Sequence, residues 1–269
     1  MSARVVPDPE QPGAWYVRMG DTDHSWIDPA DPTRLEFDYV QRIADVIDAH
    51  APPGQRLRVL HIGGAGMTLP RYITATRPTS AQVVLEPDAD LTQEVRRLVP
   101  LPRNCGIKVR PVDGRTGVAA IRNDWAADVV IVDAFADAVV PADLTTVEFF
   151  VDLHRILAPD GVVVLNLTDH VPFTYTRRVL AGLSEVFPET LLSAESPTLK
   201  GRRFGNVLLA GSAEVLPVAA LVRKAAGSVF PYRLLYGQHL ERFSAQAVPF
   251  TDADAQSSPE PPGGPAFFR

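Results

Sequence analysis

Residues 58–68, RVLHIGGAGMT, run a string of apolar residues into glycines 63, 64 and 66. Glycine carries no Cβ, so backbone there can come close to a ligand. A turn that joins a strand to a helix faces the ligand cleft of an open α/β sheet. The dinucleotide spacing G-x-G-x-x-G is not met, because position 69 is Leu, and a plain tight turn is the competing explanation. About twenty residues on, Glu86 closes VVLEPD, where an acid can accept hydrogen bonds from both hydroxyls of a ribose, or be a solvated strand end. Asp113, in VRPVDGRTG, can accept from an exocyclic amine or cap the next helix. Asp133 closes DVVIVDAF, and a carboxylate at the tip of a buried strand is costly to desolvate unless it is paired or used. Each feature ends a successive strand, so all four fall on one edge of a sheet, and that joint placement says more than any one of them.

The elements that must hold these residues alternate in type. Strands are predicted at 57–62, 82–85, 107–109, 128–132 and 162–167, and helices at 69–75, 89–99, 115–122, 144–157 and 173–187. Unbroken Val/Ile/Leu runs mean strands covered on both faces, as in a parallel sheet. The alternation gives right-handed βαβ units and a doubly wound α/β sheet. Strands at 190–193 and 206–210 suggest an antiparallel edge, followed by a helix at 215–226. Upstream, residues 1–13 read as a loose tail. Trp15, Val17 and Met19 alternate, GDTD supplies a turn, and Ser25, Trp26 and Ile27 resume the pattern, which predicts a small β-hairpin. Thr33, with Glu36 three residues on, makes a capping box for a helix over 34–50. The chain thus divides into a tail and hairpin (1–33), one α/β domain (34–250), and a polar, Pro-rich tail (251–269) expected to be disordered.

Composition narrows the function classes. Of 269 residues, 46% are hydrophobic and 22% charged, as in soluble globular proteins. A net charge of −6 without a long Lys/Arg run argues against nucleic acid as a partner. No apolar run reaches the roughly 18 residues of a membrane span, so no membrane partner is expected. The start, MSARVVPDPEQPGAW, lacks the apolar core of a signal peptide, and the cytoplasm is the expected location. One cysteine, Cys105, excludes an internal disulfide and a Cys-based metal site, and no histidine–carboxylate spacing suggests metal. No serine or cysteine nucleophile motif is present. His61, inside the first strand of the alternating series, reads as a satisfied core residue. His154 reads as a polar-face residue, and Asp169 as a helix cap rather than a cleft residue.

Several segments together resemble a known family. VLHIGGAGMTLPRY, VVLEPD, VDGR, DVVIVDAF and LTTVEFFVDLHRILAPDGVVVLNL resemble the spermidine/spermine synthase family, within the fold of S-adenosylmethionine-dependent methyltransferases. HSWIDPADPTRLEFDYV resembles the family's lead-in, in which a Gln-containing hairpin precedes DEFxYHE. The similarity spans roughly residues 15–211 and is nearest to the actinobacterial spermidine synthase-like branch. It implies a seven-stranded, mostly parallel sheet with a small N-terminal β element. It implies decarboxylated S-adenosylmethionine as aminopropyl donor and a small-molecule amine as acceptor. By position, Gly63 and Gly64 would approach the methionine-derived part of the donor, with His24 beside them where the family has Gln. Glu86 would hold the ribose, Asp113 the adenine amine, and Asp133 would be the general base. Tyr39 and Asp137 would bind the acceptor.

The chain also departs from the family pattern. The turn G-G-G-D-G reads Gly63-Gly64-Ala65-Gly66-Met67, without the aspartate that holds the donor's amine. The acceptor segment D-S/T-x-D-P reads Asp133-Ala134-Phe135-Ala136-Asp137, so its second aspartate is displaced by one, and Asp137 and Asp143 are the candidates to replace it. Val40 replaces the histidine after the lead-in tyrosine. Three readings therefore stay open. They are an aminopropyltransferase of altered substrate preference, a methyltransferase in which Gly66 leaves room for the carboxylate of ordinary S-adenosylmethionine, and a non-catalytic member of the family. Family members commonly form homodimers. Trp15 and Trp26, expected exposed on the hairpin, are a candidate contact, with a monomer as the alternative.

Overall fold

The computed structural model describes residues 3–19, 22–262 and 264. In chain order its elements begin with β1 (Ala3–Pro7), β2 (Trp15–Met19), β3 (Thr22–Ile27) and α1 (Asp38–His50). The alternating series follows: β4 (Arg58–Ile62), α2 (Thr68–Thr76), β5 (Ala81–Leu85), α3 (Ala89–Leu98), β6 (Ile107–Arg110), α4 (Gly114–Ala119), β7 (Ala127–Val132), α5 (Val147–Ile156) and β8 (Leu157–Asp169). Then come α6 (Thr174–Val186), β9 (Glu189–Glu195), α7 (Ser196–Leu199), β10 (Gly205–Ser212), α8 (Val218–Gly227), β11 (Tyr232–Tyr236) and α9 (Gln238–Ser244). The large sheet has the order β11-β9-β10-β8-β7-β4-β5-β6. Strands β8, β7, β4, β5 and β6 are parallel neighbours, while β10, β9 and β11 add antiparallel pairs on one edge. The doubly wound α/β fold with a small N-terminal sheet is as expected.

Alternate side chains of the sheet feed two cores. Leu60, Ile62, Val130 and Val132 pack with Phe149, Phe150, Leu153 and Leu183 of α5 and α6. Val59, Val129 and Ile131 pack with Ile43 and Ile47 of α1 and Ile73 of α2. Each fully buried large apolar side chain stabilises by about 1.5–3 kcal/mol, against at most about 1 kcal/mol for an exposed ion pair, so these two layers hold the sheet under the site.

Several expectations are corrected. The large sheet has eight strands, because residues 232–236 add an edge strand beyond the seven implied. The N-terminal element is a three-stranded sheet rather than a tail and hairpin: Ala3–Pro7 pairs with β2, and Val5 is buried with Val17 and Ile27 against Leu91 and Val95 of α3. Part of the predicted GDTD turn, Gly20 and Asp21, lies outside the described residues. The first helix starts at Asp38, not Arg34. The Thr33 hydroxyl is spent on Asp31 Oδ1 (2.5 Å) instead of capping, and the cap position falls to Phe37. Trp26 is buried, its Nε1 donating to Asp8 Oδ2 at 2.7 Å, and so offers no surface for a dimer contact.

The expected disordered tail is ordered over residues 251–260. Asp252 receives Arg115 (2.6 Å) and the Thr146 hydroxyl (2.7 Å), and Asp254 pairs with Arg178. Ser258 is buried, its N–H donating to the Val140 carbonyl (3.2 Å) and its Oγ accepting from Val140 N–H (2.9 Å). Polar residues dock here because each finds a charged or backbone partner. Of the rest of that expected tail, residues 263 and 265–269 lie outside the described residues.

Candidate active site

A cavity of about 610 Å³ opens above the carboxyl ends of the parallel strands. Gly63, Gly64, Glu86, Asp113 and Asp133 line it from the strand ends, and His24 and Tyr39 from β3 and α1. Of the residues expected to bind a ligand, Asp137 and Gly66 are the two that do not line the cavity. Asp137 sits in a tight turn closed by mutual backbone bonds between Ala136 and Val139 (2.9 and 3.0 Å), with φ +50°, and is exposed outside the cavity. Its expected acceptor-binding place is corrected on that geometry. Asp143 does line the cavity.

The glycine turn is shaped by packing as much as by a ligand. Gly63 (φ +86°) lies so close to the Asp133 backbone that a Cβ there would overlap its carbonyl oxygen. A Cβ on Gly66 would sit 2.8 Å from Ser25 and Ile27 of β3. Gly66 therefore lets the N-terminal sheet close over the turn, and the room for a cofactor carboxylate expected at Gly66 is filled by β3. The turn's N–H groups are all engaged: Gly63 with Leu85 O (2.9 Å), Gly64 and Ala65 with Glu86 Oε2 (3.1 Å each), Gly66 with Ser25 Oγ (3.2 Å), and Met67 with Gly64 O (2.5 Å). No donor is left there to cradle a phosphate or a carboxylate.

Glu86 works from its other oxygen as well, Oε1 accepting from Asp88 N–H at 3.0 Å. A carboxylate offers about four lone-pair sites, so roughly one remains for a ligand hydroxyl. Asp113 serves both readings offered for it. Its Oδ1 caps α4 through Thr116 N–H (2.8 Å), a bond that holds its carboxyl below the usual range, and it also lines the cavity.

Asp133, just past the end of β7, is a half-buried acid of the site. Burial pushes its pKa up to about 6, against the opposing pull of a hydrogen bond from Asn166 Nδ2 to Oδ1 at 2.9 Å. Asn166 Oδ1 in turn accepts from Asn206 Nδ2 at 3.0 Å. Tyr39, stacked on Phe37 at 6.0 Å, is held well above its ordinary pKa by burial and then by the charges of Asp133 and Asp38, so it stays a neutral phenol. Burial lowers the His24 pKa, against the opposing pull of Asp23. His61 also lines the cavity, but its Nε2 meets Gln82 Oε1 (2.9 Å) and burial pushes it down to about 4, consistent with a satisfied core residue. Asp169 is buried behind the cavity wall, its Oδ2 accepting from Thr176 N–H (2.9 Å) and hydroxyl (2.8 Å) at the start of α6.

The charge of the lining is one-sided. Asp23, Glu36, Asp38, Glu86, Asp88, Asp113, Asp133 and Asp143 face the cavity, and among the described residues no Lys or Arg does. Such a lining raises the local concentration of cations and repels anions. Sequence reasoning missed Asn166, Asn206 and Asp38. The first had a signal: Asn interrupts the apolar run VVVLNL, and a buried amide in a central strand needs partners. Asn206 had none, since its partner lies 40 residues away.

No protein-family model matches the chain. It is 27% identical over 147 residues to a polyamine aminopropyltransferase of Chromobacterium violaceum, a match covering 54% of each chain. The chain thus spans about half the length of the curated relatives it matches. A probable spermidine synthase from Corynebacterium glutamicum is 32% identical, with a TM-score of 0.85 over 93% of this chain and 92% of that one. Human methyltransferase-like protein 13, solved with SAH, shares the fold at a TM-score of 0.59 and 22% identity, covering 80% and 96% of the two chains. On the Corynebacterium likeness the chain belongs to the spermidine synthase-like family.

Proposed function

We propose that the protein transfers an aminopropyl group from decarboxylated S-adenosylmethionine to a small amine acceptor. The observation that carries this reading is the cavity lined by acids and, among the described residues, by no Lys or Arg. The donor supplies a sulfonium, whose adjacent carbon is open to attack by an amine. Both the sulfonium and an amine acceptor are cations that such a lining attracts. Ordinary S-adenosylmethionine carries an α-carboxylate, which would meet acids and a turn whose N–H groups are already engaged. In this reading Glu86 accepts from a ribose hydroxyl and Asp113 from an exocyclic amine. His24, Gly63 and Gly64 border the sulfonium side.

An ammonium has no lone pair, so the acceptor must lose a proton before it attacks. Asp133 takes that proton. With its pKa at about 6 it is mostly ionised at neutral pH yet basic enough to share a proton, which is where a general base works best. The new N–C bond forms as the C–S bond breaks, the electron pair staying on sulfur as a neutral thioether. Tyr39, a neutral phenol beside Asp133, orients the incoming nitrogen.

Isothermal titration of the purified protein with decarboxylated S-adenosylmethionine, ordinary S-adenosylmethionine and methylthioadenosine tests the reading. The decarboxylated form is expected to bind most tightly, and methylthioadenosine, without the charge, more weakly. Tighter binding of the ordinary form, or no heat with any of the three, would overturn it.

A further inference from the structure

Three neighbouring strands carry a row of polar side chains on the face that α1 covers. Asn206 is on β10, Asn166 on β8, and Asp133 follows β7. The strand register places Thr168 opposite Asn206 and Leu208 opposite Asn166, so the two asparagines are diagonal neighbours. Both donors in the row point one way: Asn206 Nδ2 to Asn166 Oδ1 (3.0 Å), and Asn166 Nδ2 to Asp133 Oδ1 (2.9 Å). An ionised carboxylate only accepts, so Asn166 must turn its N–H₂ toward Asp133. Its carbonyl then faces away, into a buried strand, and a buried carbonyl without a donor is costly. Asn206 supplies that donor. Its own backbone is fixed from the other side, where the buried Arg42 donates to the Asn206 carbonyl (3.3 Å) and to the Ser193 carbonyl (3.0 Å).

We propose that Asn206, which does not touch Asp133, is a positioning residue for it: by donating to the Asn166 carbonyl it leaves the Asn166 N–H₂ for the carboxylate and so favours the ionised base. One oxygen of Asp133 is held by Asn166, and the other is left to receive the acceptor's proton. Without Asn206, the buried Asn166 carbonyl is stranded unless the amide turns, and a turned amide sets its oxygen against Asp133, which favours the protonated acid. The other titratable groups of the cavity are Tyr16, Asp23 and His24 on the N-terminal sheet, Glu36, Asp38 and Tyr39 around the start of α1, His61 on β4, Glu86, Asp88 and Asp113 after the strand ends, and Asp143 on the loop. Arg42 lies behind Asn206, paired to Asp38 at 3.0 Å. Substitution at 206 leaves all of these in place.

The functional meaning of this row rests on Asp133 being the base, but its geometry does not, so the test reads the carboxyl directly. Protein labelled with ¹³C in aspartate carboxyls is titrated by NMR, the Asp133 signal being the one lost in Asp133→Asn. In Asn206→Leu, of similar volume, the midpoint is expected to rise by about one pH unit, the size of a lost hydrogen bond to a charged group. In Asn206→Asp, which keeps the shape and removes the donor, it is expected to rise at least as far. An unmoved midpoint in either folded variant overturns the proposal, and Asn206→Asp serves should the leucine variant not fold. If wild type shows no aminopropyl transfer but the midpoints move, the reading of function fails and this one stands.

Discussion

The two halves of the cavity are built on different principles. On the side of β4, β5 and β6, Glu86 accepts three backbone N–H bonds, two from the glycine turn at residues 64 and 65 and one from residue 88. On the side of β7, β8 and β10, Asp133 is held through amides at 166 and 206, and its loop is clamped at Val140 by Ser258. One half is wired through nearby backbone, the other through side chains from distant parts of the chain. A backbone-wired site tolerates drift in its neighbours and keeps its ligand. A site wired through side chains can change what it accepts by a few substitutions. Departures from the family pattern fall in both halves, at Gly66 in the turn and at Ala136 after Asp133, while Glu86 and Asp133 keep their places.

Substitutions should separate the two halves. Asp133→Asn is expected to lower kcat by at least about 100-fold, the usual worth of a general base, while binding of methylthioadenosine changes little. Unchanged turnover in an assay of thioether release would remove Asp133 from the chemistry. Glu86→Ala leaves the N–H groups of Gly64 and Ala65 without their acceptor, which costs about 1–3 kcal/mol. It should weaken nucleoside binding and lower the melting temperature together, and a change in neither would place the ribose elsewhere.

The effect of acidity is expected to run through Asp133. The Asp133 carboxyl is raised by burial to about 6, so its basic form is present above that pH and lost as pH falls below it. The rate of transfer should therefore rise through about pH 6, with methylthioadenosine affinity flat over the same range. A rate already level from pH 5 upward would contradict the assignment. Smaller still is the effect of Ser258→Ala, which removes one clamp on Val140. It should raise KM for the amine a few-fold and leave donor affinity unchanged, measured by steady-state kinetics. Asp137→Ala, at an exposed position outside the cavity, should change neither, in contrast to Asp143 on the same loop.

How far the sequence speaks follows from the same contrast. The turn at 63–66, Glu86 and Asp133 are legible because each sits at the end of a continuous apolar strand, where only a few residue types are tolerated, and Asp113 because it follows the next strand and precedes a helix. Their shared cavity follows from the alternation alone. The role of Gly66 is not legible, since what excludes a side chain there is Ser25 and Ile27, some forty residues earlier. Thr33 misleads because a nearer partner, Asp31, competes for its hydroxyl. The polar segment after residue 250 reads as disordered by composition, yet Asp252, Asp254 and Ser258 each meet a partner that folding alone brings near. Strand β11 escapes for another reason: YRLLY is short and half exposed, with no periodic signal of its own.

The most direct test of the central claim is to supply the protein with decarboxylated S-adenosylmethionine and a panel of small amines, and to follow methylthioadenosine and aminopropylated amine by mass spectrometry. The two products are expected in equal amounts, only when an amine is present, and not with Asp133→Asn. Methyl transfer from ordinary S-adenosylmethionine, in preference to any aminopropylated product, would contradict the account.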